Sequence, residues 1–210
     1  MLVMPRNLYL KLAKYLFFFG LALIITSYLP AVYYSARSQG GKLISRYLVE
    51  TAETSVAPSS SEDEAGYQPA YDADLPFESR LVISSIGVDT EIYEASVENF
   101  EEALKKGVWR TPNFGTPVKR TQPTILAAHR FGYLKWSNQY RHENSFYNLP
   151  KLDLGDTAKI IWRQRTYTYA VYNTEEGTKI TDYGADLILY TCRDLTSDIR
   201  IFVYLRLLEI

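Results

Sequence analysis

From Arg80 to the C-terminus the chain breaks into short apolar runs bounded by Gly, Pro, Asn, Asp or Ser. That punctuation points to β structure. "RLVISSIGVDTEIYE" reads as two short strands around the Ser84–Ser85 break, and "PTILAAHR" as a buried strand ending at His129. "TAKIIWR" and "TYTYAVYN" form a predicted hairpin, its second arm alternating Thr/Ala with Tyr/Val. "DLILYTC" and "IRIFVYLRLLEI" close the chain. Helical spacing is confined to "VENFEEALKKG", where Val97, Phe100 and Leu104 share a face and Gly107 is placed to stop the helix. "SFYNLPKLDLGD" reads as a helical turn followed by a Gly-Asp turn at 155–156. Short strands with one or two helical elements imply a mainly β domain, closed or sandwiched, over residues 80–210.

What precedes this domain is different in kind. "YLFFFGLALIITSYLPAVYY" carries no charge and is about as long as a helix needs to cross ~30 Å of hydrocarbon. Tyr15, Tyr28, Tyr33 and Tyr34 lie toward its ends, where amphipathic rings favour the interface. A cleaved secretory signal is the rival reading. The apolar run exceeds the usual length of such signals and no A-x-A site follows, so an uncleaved anchor is favoured. The expected organisation is a cytoplasmic tail at 1–14, a transmembrane helix at 15–35, a linker at 36–79 and the β domain at 80–210. Basic residues flank both sides of the span, Arg6, Lys11 and Lys14 before it and Arg37, Lys42 and Arg46 after it. The first tail lacks acids, which favours the N-terminus inside.

The linker is rich in Ser, Ala, Pro and acids, without apolar period, and cannot bury enough surface to offset its ordering entropy. Partial disorder is expected, with "DADLPFES" available to dock on the domain behind it. Lys and Arg total 23 against 24 acids, so no basic footprint for nucleic acid exists. One cysteine and two histidines exclude an intrachain disulfide and any multi-Cys zinc site. No metal and no cofactor are expected.

The single thiol, Cys192, ends one predicted strand, and Arg200 begins the next. If 187–192 and 199–208 are consecutive antiparallel strands, both side chains share a face only when 192 lies opposite 200 or in a register of the same parity. A cysteine thiol of ordinary pKa, about 8.5, is mostly protonated at neutral pH, so a nearby guanidinium would favour the thiolate or hold an oxyanion. Acyl transfer also needs a proton donor for the leaving amine. His129, at a strand end, is the candidate; His142, in the polar "NQYRHENS", reads as a solvated loop residue. Taken singly, each has an ordinary structural reading: a small buried hydrophobe, a solvated edge cation, a satisfied core histidine.

Taken together, these segments resemble the sortases, membrane-anchored cysteine transpeptidases of bacterial surfaces. "LILYTC" is similar to the family's apolar strand ending in Thr-Cys, and Arg200 matches the Arg that opens its last strand. "TILAAHR" resembles its small-residue strand ending in His-Arg, with Ala128 where Gly is commoner. "SFYNLPKLDLGD" resembles its Phe-x-x-Leu-x-x-Leu-x-x-Gly-Asp segment. The resemblance implies an eight-stranded β-barrel in which Cys192 is the nucleophile, His129 the general acid and then base, Arg200 the oxyanion partner, and Thr191 a substrate-holding residue. It implies an LPXTG-like sorting signal as substrate, a cell-wall precursor or pilin lysine as amine acceptor, and a catalytic domain outside the membrane. Two features depart from the family: the aromatic-rich "RFGYLKWSNQYRHENSFYNL" after His129, and "DLPF", which only approximates the Asp-Pro-aromatic lid of pilin-building members. Two alternatives remain at this stage. One is another cysteine transpeptidase or hydrolase of the envelope, although "LYTCRD" lacks the His just before Cys of the L,D-transpeptidases. The other is a catalytically inactive, membrane-tethered β-domain for binding or assembly.

Overall fold

The structure of the protein, a computed structural model, describes residues 11, 14–21, 23 and 66–209. Contacts divide the chain into two units, Met1–Ile44 and Ser45–Ile210. In the first, the described residues are helical, and Tyr15, Leu16, Phe17, Phe18 and Phe19 are exposed. Among the described residues no helix is long and apolar enough to cross a membrane. Most of the expected 15–35 span, the 1–14 tail apart from Lys11 and Lys14, and the linker as far as residue 65 lie outside the described residues.

The second unit is a closed eight-stranded barrel. Its strands are β1 (Arg80–Ile83), β2 (Val88–Glu94), β3 (Val108–Arg110), β4 (Thr124–Ala127), β5 (Thr157–Trp162), β6 (Arg165–Gly177), β7 (Leu187–Cys192) and β8 (Arg200–Leu208). Around the barrel they run β1-β2-β3-β4-β7-β8-β6-β5. Two neighbours are parallel, β2 with β3 and β4 with β7; the other pairings are antiparallel. Alternation along each strand sends Leu81, Ile83, Leu126, Ile160, Leu187, Leu189, Val203 and Leu205 into one core. On β7 and β8 the outward residues Ile188, Tyr190, Phe202 and Tyr204 are buried too, so these strands read as continuous apolar runs. The connection before β7 covers part of that outer face, since Tyr204 Oη accepts the Thr181 N–H at 3.2 Å.

Helix α1 (Phe100–Leu104) is shorter than the 97–107 pattern suggests, although the Gly107 N–H still closes the last turn on Ala103 O at 3.1 Å. Helix α2 (Asn138–Asn144) occupies the stretch expected to be loop. It buries none of its residues, so no apolar period announces it. Instead, Ser137 Oγ caps it by accepting the Tyr140 N–H at 3.0 Å.

The β5–β6 hairpin turns on Arg163 and Gln164, both at positive φ (50° and 54°), a conformation that non-glycine residues adopt at a cost. The end of the linker offsets it. Gln164 Nε2 donates to Ala73 O and Leu75 O, each at 3.1 Å, and Gln164 O accepts the Asp72 N–H at 2.9 Å. Tyr71 bridges to Arg165, and Tyr167 Oη donates to Gln68 Oε1 at 2.5 Å. Residues 66–79 are therefore a docked strap, but polar bonds hold it, and Phe77 of the apolar end expected to dock is exposed.

Candidate active site

Cys192 and Arg200 are direct partners across β7 and β8. The next pair outward, Arg193 and Ile199, is hydrogen-bonded, with Arg193 N–H on Ile199 O at 3.0 Å. Cys192 and Arg200 are thus a non-hydrogen-bonded pair, the kind whose Cα atoms lie about 4.5 Å apart and whose side chains approach closest. The parity that the sequence demanded is met. Because Leu187 and Leu189 face the core, Cys192 faces outward with Ile188 and Tyr190, and Arg200 shares that face with Phe202 and Tyr204.

Strand β4 runs parallel to β7 on its other side, with Ala127 opposite Tyr190. Continuing that register by two residues sets His129 beside Cys192, again on the outer face because Leu126 and Ala128 belong to the core. Side-chain bonds also tie the strand ends together. Thr191 Oγ1 donates to Ala128 O at 2.8 Å, and Arg130 Nη1 donates to Arg193 O. The Thr191 side chain is buried and sits on the core side of β7, joining the His-bearing and Cys-bearing strands.

Arg200 is only 7% exposed. Its guanidinium donates to Ile199 O at 3.3 Å, and among the described residues no carboxylate lies within ion-pair distance of it. Arg193, one residue past the thiol, is the opposite case: its charge is taken by Asp194 at 3.0 Å and Glu176 at 3.3 Å. A buried cation without a counter-charge is unfavourable unless an anion arrives. Asp194 also shapes the β7–β8 loop, its Oδ1 accepting the backbone N–H groups of Thr196 and Ser197 at 2.8 Å each. These bonds hold its carboxyl well below the ordinary range.

His129 is enclosed by the aromatic loop that follows it. Tyr133 and Trp136 meet its ring edge-on, with centroids at 5.4 and 6.1 Å, and its carbonyl accepts the Phe146 N–H at 2.9 Å. Gly132, at φ 65°, lets the Trp136 ring lie against the backbone where any Cβ would collide. Arg141 of α2 binds the loop from the far side, donating to Phe131 O at 2.8 Å and Tyr133 O at 3.3 Å. His142 is exposed on the last turn of α2 and stacks on Tyr147 at 5.2 Å.

The imidazole is turned toward Glu101 of α1, with Nε2 3.6 Å from Glu101 Oε1, an ion-pair distance. Nε2 is buried without a hydrogen-bond partner, and among the described residues no hydrogen bond joins the ring to the thiol. Glu101 Oε1 also accepts the Tyr133 hydroxyl. Burial pushes the Glu101 carboxyl up, but its contacts with His129 and Tyr133 outweigh burial and leave it below the usual carboxylate range. Burial and Glu101 together push the Tyr133 hydroxyl well up. Nothing in the sequence marked Glu101, which meets His129 only through the tertiary fold, whereas Tyr133 belongs to the aromatic-rich stretch noted after His129. A thiol, an imidazole and an unpaired guanidinium on one sheet face form the set that acyl transfer through a thioester uses.

No protein-family model matches the sequence, and no curated protein matches it. Solved structures do. The sortase C-1 of Actinomyces oris is 20% identical with a TM-score of 0.53, covering 79% of this chain and 99% of that one. The Group B Streptococcus Pilus Island 1 sortase C2 is 20% identical with a TM-score of 0.52, covering 79% and 97%. Sortase A from Corynebacterium diphtheriae is 20% identical with a TM-score of 0.52, covering 66% of this chain and 63% of that one. The fold of this chain is that of the sortases.

Proposed function

We propose that the protein is a sortase-type cysteine transpeptidase. The observation that carries the reading is the Cys192–Arg200 cross-strand pair, with His129 issuing from the adjoining strand on the same face. The Cys192 thiolate attacks the carbonyl carbon of the threonine in an LPXTG-like sorting signal. The oxyanion so formed takes the Arg200 guanidinium as its counter-charge. His129, as imidazolium, donates its proton to the departing amine nitrogen, the C–N bond breaks, and a thioester remains on Cys192. An incoming amine then loses a proton to His129 and attacks the thioester. The C–S bond breaks, returning the thiolate and leaving a new amide. The acceptor is an amine of a cell-wall precursor or a pilin lysine. Thr191 acts through its bond to Ala128 O, which holds the strand ends of His129 and Cys192 side by side.

The "DLPF" segment lies against the β5–β6 turn, where Leu75 O accepts from Gln164. The far end of β6 meets Arg200 at Gly177, so roughly 40 Å of strand path separates the strap from the site. On this reading the strap is no lid. The apolar run 15–35 anchors the enzyme, with the N-terminus inside and the barrel outside the membrane, where sorting signals are displayed. The exposed rings and aliphatic side chains at 15–19 suit a lipid-facing helix.

The test is cleavage of a fluorogenic LPXTG-type peptide by the full chain in detergent. Wild type should cleave after threonine, and Cys192→Ala should not. Equal cleavage by both would refute the assignment of the nucleophile.

A further inference from the structure

Glu101 stands outside the thiol, imidazole and guanidinium set, yet among the described residues it is the one carboxylate that His129 meets. Several observations converge on it. Its side chain is 21% exposed, and the His129 side chain 26%. The fold fixes it from behind, because Phe100, Ala103 and Leu104 of α1 are buried and Phe100 packs on Trp109 at 5.4 Å. Trp109 in turn pairs with Ala127 of the His-bearing strand β4. The close ion pair of the neighbouring lysine is with another acid, Lys105 with Glu102, and Lys105 acts on Glu101 only from a distance. Its Oε1 accepts a hydrogen bond from Tyr133 Oη and lies 3.6 Å from the imidazole Nε2.

Resting on the transpeptidase reading, we infer that Glu101, held by Tyr133, is a positioning residue that fixes the His129 ring with Nε2 on the carboxylate and Nδ1 toward the thiol and the scissile amide. The physical case is one of satisfaction. Nε2 is buried, and a buried ring N–H without an acceptor is unfavourable. A carboxylate at 3.6 Å answers the ring best when it is an imidazolium, with its proton on Nε2. That charge state is the one required before the leaving amine departs. The ring nitrogen that exchanges the proton is then Nδ1, and the pair persists through both half-reactions without Glu101 touching substrate. Acids that orient a metal-ligating histidine are worth about 10–100-fold, and that sets the scale expected of Glu101.

The experiment compares full-chain Glu101→Gln, Glu101→Asp and Tyr133→Phe with wild type in detergent. For Glu101→Gln, kcat on the fluorogenic peptide should fall about tenfold with KM within about twofold, the signature of an interaction used in the transition state. Glu101→Asp should recover part of the loss, and Tyr133→Phe should show a smaller fall of the same kind. Because the chain has two histidines, 15N-histidine NMR resolves each ring, with His142→Gln as the assignment control. Wild type should show a protected ring N–H on Nε2 of His129 that Glu101→Gln displaces or removes and Glu101→Asp keeps. Wild-type turnover and an unchanged ring resonance in Glu101→Gln would overturn the inference. If wild type cleaves no peptide, the transpeptidase reading falls, and the ring resonance still decides whether Glu101 orients His129. Should Glu101→Gln fail to fold, as judged by its melting curve, Tyr133→Phe and Glu101→Asp carry the same two readouts.

Discussion

Arg200 lies directly across from Cys192 in the β7–β8 ladder, buried, and with no carboxylate of its own among the described residues. A cation held in that way is poised for a transient anion. On the proposed mechanism, replacing it removes a charge that serves the transition state more than the fold. Arg200→Ala should lower kcat/KM more than about tenfold, in the range of a lost oxyanion donor. Its melting temperature should stay at or above that of wild type, because an unpaired buried charge leaves with the side chain. Arg200→Lys should recover little, since an ammonium does not reproduce the planar fork. Peptide turnover and thermal melts check both halves.

The two imidazoles separate cleanly. His129→Ala should lose more than about tenfold in kcat, as expected when a general acid is removed. His142→Ala should match wild type, because His142 stacks on Tyr147 at the solvent side of α2. A large loss at 142 would assign the proton transfer to the wrong ring.

The Thr191 hydroxyl joins β7 to the carbonyl of Ala128. Thr191→Val keeps the shape and leaves that carbonyl short of a donor, so stability should fall by about 1–3 kcal/mol. Denaturant unfolding gives the value. Turnover should fall as well, mainly in kcat, because the strand end carrying His129 loses a tie to the Cys-bearing strand.

Gly132→Ala tests the aromatic loop. The site combines φ 65° with a Trp136 ring where a Cβ would stand. Displacing that ring should cost about 1–3 kcal/mol of stability and reduce kcat through the His129 surroundings. By contrast, Gln164→Ala should free the strap at 66–79 and expose it to protease while leaving turnover near wild type, since the strap docks far from Arg200.

Much of this arrangement was legible in the residues. Cys192 and Arg200 bracket the last two strands at the spacing that their register requires, and the strand ends at 192 and 200 fall where the apolar runs stop and start. The hairpin at 162–165 was visible from alternation alone. Helix α2 was not, because a helix that buries nothing carries no period and is held through Ser137 and Arg141 instead. Strand β3, with three residues, is too short to alternate and exists through Trp109 pairing with Ala127. Glu101 was equally silent. It looks like one solvated acid in "NFEEAL", and only the packing of α1 on β3 carries it to His129. The sequence also offered Thr191 as a substrate contact, where strand parity turns the side chain toward the core and Ala128.

The most direct test is the bond that the mechanism forms. Full-chain protein incubated with a small library of LPXTG-type peptides, quenched in acid and digested, is read by mass spectrometry at the peptide carrying Cys192. The expected result is a thioester adduct with the mass of the peptide up to threonine, released by hydroxylamine and missing in Cys192→Ala. Peptide cleavage that proceeds with Cys192 unmodified, or that survives its replacement, would contradict the account.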